Sequence, residues 1–296
     1  MSVVIVNWNA GELLPRCVQS LMETAMDLVS EIVVVDNAST DDSVAKLRAA
    51  FPEVMVLVNE HNRGFSAANN QGLRHTHGRY VLLLNPDTEV RPGALASLVG
   101  FLDTHPQVGA CGPKLLNPDG TPQKCVGKLP SLGHEFTEKY FNNWLARWNV
   151  GGYLTRSYAR AKPVGYVSGA CLLLRRRAVE EVGPLDENFF MYFEDADLCC
   201  RLWQAGWQCY LVPQAEVVHY RGHSAEQNRA LVGLEYRRSQ MHYYRKHRPV
   251  VEVTVLRVGL AGRWAWAVLW SRCRPGVFPP AYVKGLRELW GESARG

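Results

Sequence analysis

The sequence holds no CxxC pair, and none of its eight cysteines (Cys17, Cys111, Cys125, Cys171, Cys199, Cys200, Cys209 and Cys273) stands at zinc-ligand spacing from a histidine. That excludes a Cys/His zinc module. In a chain of 296 residues it also favours buried thiols in a reducing compartment over a disulfide framework. Neither GxGxxG nor GxxxxGK(S/T) occurs, which removes the dinucleotide fingerprint and the P-loop. No apolar run is a credible membrane span: the best candidate, 251–274, is interrupted by Arg257 and Arg263. The first apolar run, SVVIV at 2–6, has no cationic region before it and polar WNAG after it. It reads as a core strand and not as a secretory leader, so a cytoplasmic protein is expected. An excess of one charge is also lacking. The 33 Lys/Arg against 28 Asp/Glu give a net charge of +5, which suits an anionic ligand or an acidic membrane surface. The basic residues are dispersed until the C-terminal fifth, which argues against a nucleic-acid partner.

What is present is 47% hydrophobic residues, enough for a large core. Short runs rich in β-branched residues, SVVIVN (2–7), EIVVVDN (31–37), VMVLVNE (54–60) and RYVLLLNPD (79–87), alternate with helix-like spacing at 11–28, 42–50 and 64–77. Apolar runs without alternation fit parallel strands covered on both faces, so the order predicts a doubly wound, mostly parallel α/β sheet with helices on both faces. Ser39, Asp41 and Asp42 offer caps for the second helix. Farther on, GPKLLNPDG (112–120) suggests loops or a hairpin. YVSGACLLLRR (166–176) predicts a strand that rejoins the sheet, residues 194–205 a helix, and WQCYLVP (207–213) another strand.

Each of the first four strands ends in polar residues: Asn7 with Asn9, Asp36 with Asn37, Asn59, and Asn85 with Asp87. Ligands of open α/β sheets bind beyond the carboxyl ends of the strands, so these residues converge on a predicted site. Turn initiation by Asn and Asp is the plainer reading of any one of them.

Taken together, VVIVNWN (3–9), VVVDNAST (33–40), NRGFSAANNQG (62–72), LLNPD (83–87) and FFMYFEDADLCCRL (189–202) resemble family 2 glycosyltransferases of the GT-A fold, in particular the bacterial rhamnosyltransferase-like branch. The resemblance spans roughly residues 1–245. It implies a catalytic domain over 1–230, with a nucleotide-sugar half (1–110) and an acceptor half (111–230), followed by a basic, Trp-rich helical extension over 231–296. It further implies an inverting transfer from a dTDP- or UDP-sugar, rhamnose or a hexose, to a glycan or lipid-linked acceptor in cell-surface polysaccharide synthesis.

The implied roles agree with elementary chemistry. Cleaving the anomeric C–O bond leaves charge on a diphosphate, which Mg²⁺ or Mn²⁺ with hard oxygen ligands can stabilise. Asp87 matches the last acid of the family's DXD-type motif, while Asn85 replaces the first, so a further ligand is expected. His219 and His223 are the candidates, and a hydrogen-bonding structural histidine is the alternative for His219. Asp36 matches the acceptor that reads the pyrimidine or ribose, with Asn7, Asn9 and Asn37 beside it; the alternative is a helix cap. NRGFSAANNQG brings Arg63, Gly64 and Asn69, a small-residue helix start suited to phosphate. Arg63 alone fits a solvated surface equally well. Ser168 and Gly169 are expected near the donor sugar, with a packed bulge as the alternative. The acceptor hydroxyl needs a general base. By resemblance that is Asp195, at a helix N-terminus that favours its ionised form, with Glu194 orienting the acceptor or standing in. Asp197 fits a helix cap.

For the C-terminal region, Trp residues flanked by basic groups suit a helix lying on an anionic membrane surface at the inner face of the cell membrane. A helical cap packed on the domain, or a dimer interface, is the alternative. Two rival functions remain at this stage. One is a pyrophosphorylase-like transferase, for which WNAGELLPR lacks a basic Gly-rich loop; the other is a non-catalytic scaffold that keeps the fold.

Overall fold

The computed structural model describes residues 1–137, 158–220 and 229–273. Its first strands are β1 (Ser2–Asn7), β2 (Glu31–Asp36), β3 (Met55–Val58) and β4 (Tyr80–Leu84), separated by helices α1 (Leu13–Ala25), α2 (Ser43–Ala50) and α3 (Phe65–Leu73). These form the predicted parallel block, in the order β3-β2-β1-β4. The reason for the unbroken apolar runs is visible in the packing. Val3, Ile5, Ile32 and Val34 join the main core with Leu14, Val18 and Leu21 of α1, whereas Val6, Val33 and Val35 pack with Ala68 and Phe65 of α3. A strand covered on both faces has no position left for a polar alternate. Gly72 lets α3 lie close on the sheet, since a Cβ there would overlap Val4 and crowd Val35. β3, at the sheet edge, keeps Met55 and Val58 exposed.

Beyond β4 the sheet becomes mixed. β10 (Cys171–Arg175) runs antiparallel between β4 and β6 (Val108–Leu116), and β11 (Gln208–His219) lies parallel to β6. β5 (Thr88–Val90) and β8 (Lys162–Pro163) pair antiparallel with β11. Six strands (β1, β2, β3, β4, β6 and β11) therefore point the same way in a nine-stranded sheet. Helices α4 (Ala94–Thr104), α6 (Arg176–Val182) and α7 (Glu194–Gln204) complete the layers.

Three expectations are corrected here. Residues 112–116 are not loop but the end of β6, whose Gly112 takes the side chain of Val167 against it; only 117–122 turns back. The run 166–176 is not one strand. Tyr166–Val167 (β9) pairs with Val126–Gly127 (β7) in a separate ribbon, the turn at 168–170 follows, and β10 then enters the sheet. Asp42 gives no side-chain cap to α2; Asp41 instead accepts from the Ser43 backbone N–H at 3.2 Å and its hydroxyl at 2.6 Å. The strand predicted at 207–213 extends to His219 through two register shifts. Seven cysteines are free and buried, as expected.

The C-terminal helices are α8 (Arg229–His247) and α9 (Val250–Cys273), so a boundary at 230 falls within the first turn of a continuous helix. Tyr243 and Tyr244 of α8 are fully buried among Phe189, Phe193, Ala196 and Cys200. A short helix, α5 (Leu132–Thr137), locks on from the other side: Glu135 accepts from Tyr244 at 2.8 Å and from Gln240 at 2.5 Å. α8 is thus packed on the domain. No helix among the described residues is long and apolar enough to cross a membrane.

Candidate active site

The polar strand ends do converge. Asn7, wholly buried at the end of β1, sends its Nδ2 to Asp36 Oδ1 at 2.8 Å and to the Ser43 hydroxyl at 2.8 Å, while its Oδ1 has no protein partner. Asp36, buried at the end of β2, accepts the Ser39 backbone N–H through Oδ2 at 3.2 Å. Asn9, at φ 52°, accepts the Thr40 N–H at 2.7 Å and donates its own N–H to the Ser39 hydroxyl. These contacts fold the β1 and β2 loops onto each other.

Asn37 does different work. Its Nδ2 donates to Asn62 Oδ1 and the Gly64 carbonyl, and its Oδ1 accepts from the Arg63 N–H and Asn59 Nδ2. The amide is satisfied within the chain and ties down the loop that starts α3. Asn69 donates back to the Phe65 carbonyl inside that helix. The Arg63 side chain is exposed. What approaches Gly64 is protein and not open ligand space: at φ +83°, a Cβ there would stand 2.7 Å from both the Phe190 ring and its carbonyl oxygen. That carbonyl accepts the Phe65 N–H at 2.6 Å. The glycine therefore serves the docking of the 189–193 loop.

Asn85 and Asp87 sit at the carboxyl end of β4. The Asn85 N–H bonds the Ala170 carbonyl at 3.0 Å, and the Thr88 hydroxyl bonds the Asn85 carbonyl at 2.7 Å. His219, the last residue of β11, lies across from them, with Nε2 3.3 Å from Asp87 Oδ1 and 3.5 Å from Asn85 Nδ2. Its other nitrogen, Nδ1, is 3.1 Å from Gln123 Oε1. An imidazole nitrogen facing a carboxylate oxygen is a donor set for a divalent cation that also takes phosphate oxygens. Among the described residues no cluster of three or more His, Cys, Asp or Glu side chains could hold a metal ion. His223 lies outside the described residues.

The acidic pair heads α7. Asp195 accepts the Gly169 N–H through Oδ2 at 3.1 Å and the Ala196 N–H through Oδ1 at 2.7 Å. Burial raises its pKa above the ordinary 3.8, against the pull of those two donors. Glu194 is buried with Oε2 unpartnered, and burial plus the Asp195 charge push its pKa well above 4.5. The helix N-terminus offsets part of the cost of charge on this pair. The residues before it, Tyr192 and Phe193, have φ of 70° and 66°, a strained left-handed pair that aims the first turn of α7. The turn at Ser168-Gly169-Ala170 joins the two clusters: Gly169 N–H holds Asp195, and the next carbonyl, of Ala170, holds Asn85. The Ser168 side chain bonds within the turn, its Oγ accepting the Ala170 N–H, and the Ser168 N–H donates to the Cys125 carbonyl at 2.8 Å.

Several contacts that position this site could not be read from the motifs. Asn70 pins the 185–187 segment by accepting the Leu185 N–H and donating to the Leu185 carbonyl and Glu187. Asp197 is not a helix cap but a fully buried ionic hub. It joins Arg201 at 2.8 Å to Lys246 at 2.8 Å and His247 at 2.7 Å of α8. Ser239 of α8 bonds the Met191 carbonyl, and Tyr236 packs edge-on against Tyr192 and Phe193. The residues of α8 carry no amphipathic pattern that would flag it as packed, so its role was not readable along the chain.

The model of glycosyl transferase family 2 matches residues 2–183. The chain belongs to that family. The N-acetylglucosaminyl-diphospho-decaprenol L-rhamnosyltransferase of Mycobacterium tuberculosis is 32% identical over 237 residues, covering 76% of this chain and 77% of that protein. Among solved structures, a mannosyltransferase from Pyrobaculum calidifontis in complex with GDP-Man and Mn²⁺ has a TM-score of 0.56 at 20% identity over 99% of this chain and 79% of its own. GalNAc-T7 with UDP, GalNAc and Mn²⁺ has a TM-score of 0.57 at 18% identity over 82% of this chain; the match spans 49% of the length of that enzyme. These structural likenesses establish the GT-A fold.

Proposed function

We propose that this family 2 glycosyltransferase transfers a sugar, with inversion, from a nucleotide diphosphate donor to an acceptor hydroxyl in cell-surface glycan assembly. The observation that carries the reading is the 168–170 turn, which clamps the Asn85–Asp87 loop to one side and the Asp195 carboxylate to the other. A donor whose diphosphate lies by Asp87 would then present its anomeric carbon toward the acidic pair. Asp195, ionised and held by two N–H donors, takes the proton of the attacking hydroxyl, which enters opposite the leaving diphosphate. Glu194, whose neutral form is favoured by burial and the Asp195 charge, stands beside it to orient an acceptor oxygen. Asp87 and His219 would hold Mg²⁺ or Mn²⁺, which supplies charge neutralisation for the departing diphosphate. Asn7 and Asp36 offer buried acceptors for the base or ribose.

The donor is taken as dTDP-rhamnose or a UDP-hexose and the acceptor as a lipid-linked glycan, supported by the similarity to the mycobacterial rhamnosyltransferase. Contact with the inner face of the membrane would run through α9, where Val250, Val251, Val255 and Val258 are exposed. The testing experiment is binding and hydrolysis of a panel of dTDP- and UDP-sugars with and without Mn²⁺. Metal-dependent binding of one donor with slow release of its diphosphate supports the reading. Binding of none, or turnover of the right donor that is indifferent to Asp195→Asn, returns the chain to the scaffold alternative.

A further inference from the structure

Gln123 lies in the segment that returns from β6, is buried, and belongs to no motif. Its Nε2 is 2.6 Å from the His219 carbonyl oxygen and 3.3 Å from the Leu116 carbonyl oxygen. Carbonyl oxygens only accept, so the amide NH₂ must be the end that faces them, and the orientation of the side chain follows. Oε1 is thereby turned to His219 Nδ1, at 3.1 Å. An amide oxygen also only accepts, so Nδ1 must carry a hydrogen. In the neutral ring, Nε2 is then left with its lone pair, aimed at Asp87 Oδ1 and within 3.5 Å of the Asn85 amide donor. A lone pair and a carboxylate oxygen at 3.3 Å repel unless a cation or a proton lies between them.

We propose that Gln123 is a positioning residue, which holds His219 as the Nδ1–H tautomer and directs Nε2 at the cation shared with Asp87. The proposal rests on the reading of Asp87 and His219 as the cation pair. The grip is two-sided, since the same amide fixes the His219 backbone at the end of β11 and its ring. A glutamine that served only to satisfy strand-end carbonyls would have no reason to reach the ring. Partners of this kind around metal-binding histidines typically change metal affinity by about 10–100-fold when removed.

The tautomer is read directly from a two-bond imidazole ¹H–¹⁵N correlation spectrum of the metal-free protein, at a pH where the ring is neutral. The His219 signal is assigned by its loss in His219→Gln. Nδ1–H with a bare Nε2 is expected; an Nε2–H tautomer in the wild type overturns the proposal whatever the metal does. Gln123→Met, close in volume, should mix the tautomers. It should weaken Mn²⁺, followed by its free-ion electron paramagnetic resonance signal in the presence of UDP, by about 10–100-fold, with metal-free UDP affinity unchanged. Unchanged tautomer and unchanged Mn²⁺ affinity in that variant also overturn it. If the variant fails to fold, the wild-type spectrum still decides. A wild type that is Nδ1–H yet binds no Mn²⁺ brings down the cation reading instead, and the aim given to Nε2 falls with it.

Discussion

Two adjacent carboxylates at the head of α7 have been given different environments. Glu194 is buried with an unpartnered oxygen, whereas Asp195 keeps two N–H donors. The pair titrates as a unit, so its apparent pKa values belong to both. Since the base must be ionised, kcat/KM should rise with pH through an apparent pKa above the ordinary 3.8 of an aspartate and then hold. A profile already flat from the ordinary carboxylate range upward would remove Asp195 from that role. Asp195→Asn should lower kcat by about 10²–10⁴-fold and leave donor affinity nearly intact; an equal loss in binding would make it a donor contact. Gly64 is constrained in a different way. Gly64→Ala must accept φ +83° and a Cβ pressed on Phe190, at a cost of roughly 2–4 kcal/mol. Chemical denaturation should show that loss, and kcat should fall with it because the displaced 189–193 loop leads directly into the acidic pair.

At the scale of elements, the seam between α7 and α8 is an ionic one with a definite pH window. Burial opposes the charge on His247, but the hydrogen bonds to Asp197 and Cys200 outweigh it and lift the pKa from 6.5 to about 9. Burial likewise opposes charge on Asp197, and His247, Lys246 and Arg201 together hold its pKa below 3.8. A raised cationic pKa contributes stability that is complete below pH 6.5 and is lost as pH climbs through about 9. A depressed carboxylate contributes above pH 3.8 and loses that as pH falls through its lower folded value. Unfolding free energy should therefore be flat from about pH 5 to 6 and decline as pH rises from about 6.5 through about 9, by up to roughly 3 kcal/mol, and the melting temperature should follow it. His247→Gln should lower the plateau and flatten the alkaline limb. A wild-type curve level to about pH 10, roughly one unit beyond the lifted pKa, would mean the seam does not titrate as described.

At the scale of the whole molecule, α9 exposes a row of apolar side chains among the described residues. Leu256, Val253 and Leu260 pack with Leu129 and Leu132, and Glu252 accepts the Leu132 N–H at 3.0 Å. Val251, Val255 and Val258, spaced four and three apart, form a stripe on another side of the same helix and are 73%, 54% and 64% exposed. On the lipid-linked reading this stripe meets the membrane. Sedimentation with anionic vesicles should then fall when the three valines are changed to serine, with little change in thermal stability. Binding that is unaffected would leave α9 as a cap and nothing more.

Much of this was legible from residue order, for a physical reason. Strands buried on both faces must be continuously apolar, so β1, β2 and β4 declared themselves, and so did the crevice at their polar carboxyl ends. The acidic pair and Asp87 were legible as candidates because they stand in short motifs of consecutive residues. The sequence could not reveal β6 under its two glycines and one proline, because Gly112 and Pro113 are tolerated by cross-sheet packing and not by local preference. Nor could it assign partners across long separations. Gln123 to His219, Asp197 to His247, Asn70 to Leu185 and Gly64 to Phe190 are contacts in which neither residue type indicates the other. A strand or a motif is written into consecutive residues, so sequence alone determined the fold class and the candidate site residues. Which buried polar group meets which is decided only when the sheet and α8 close around the site, because each must find a partner there or bear the cost of burial alone.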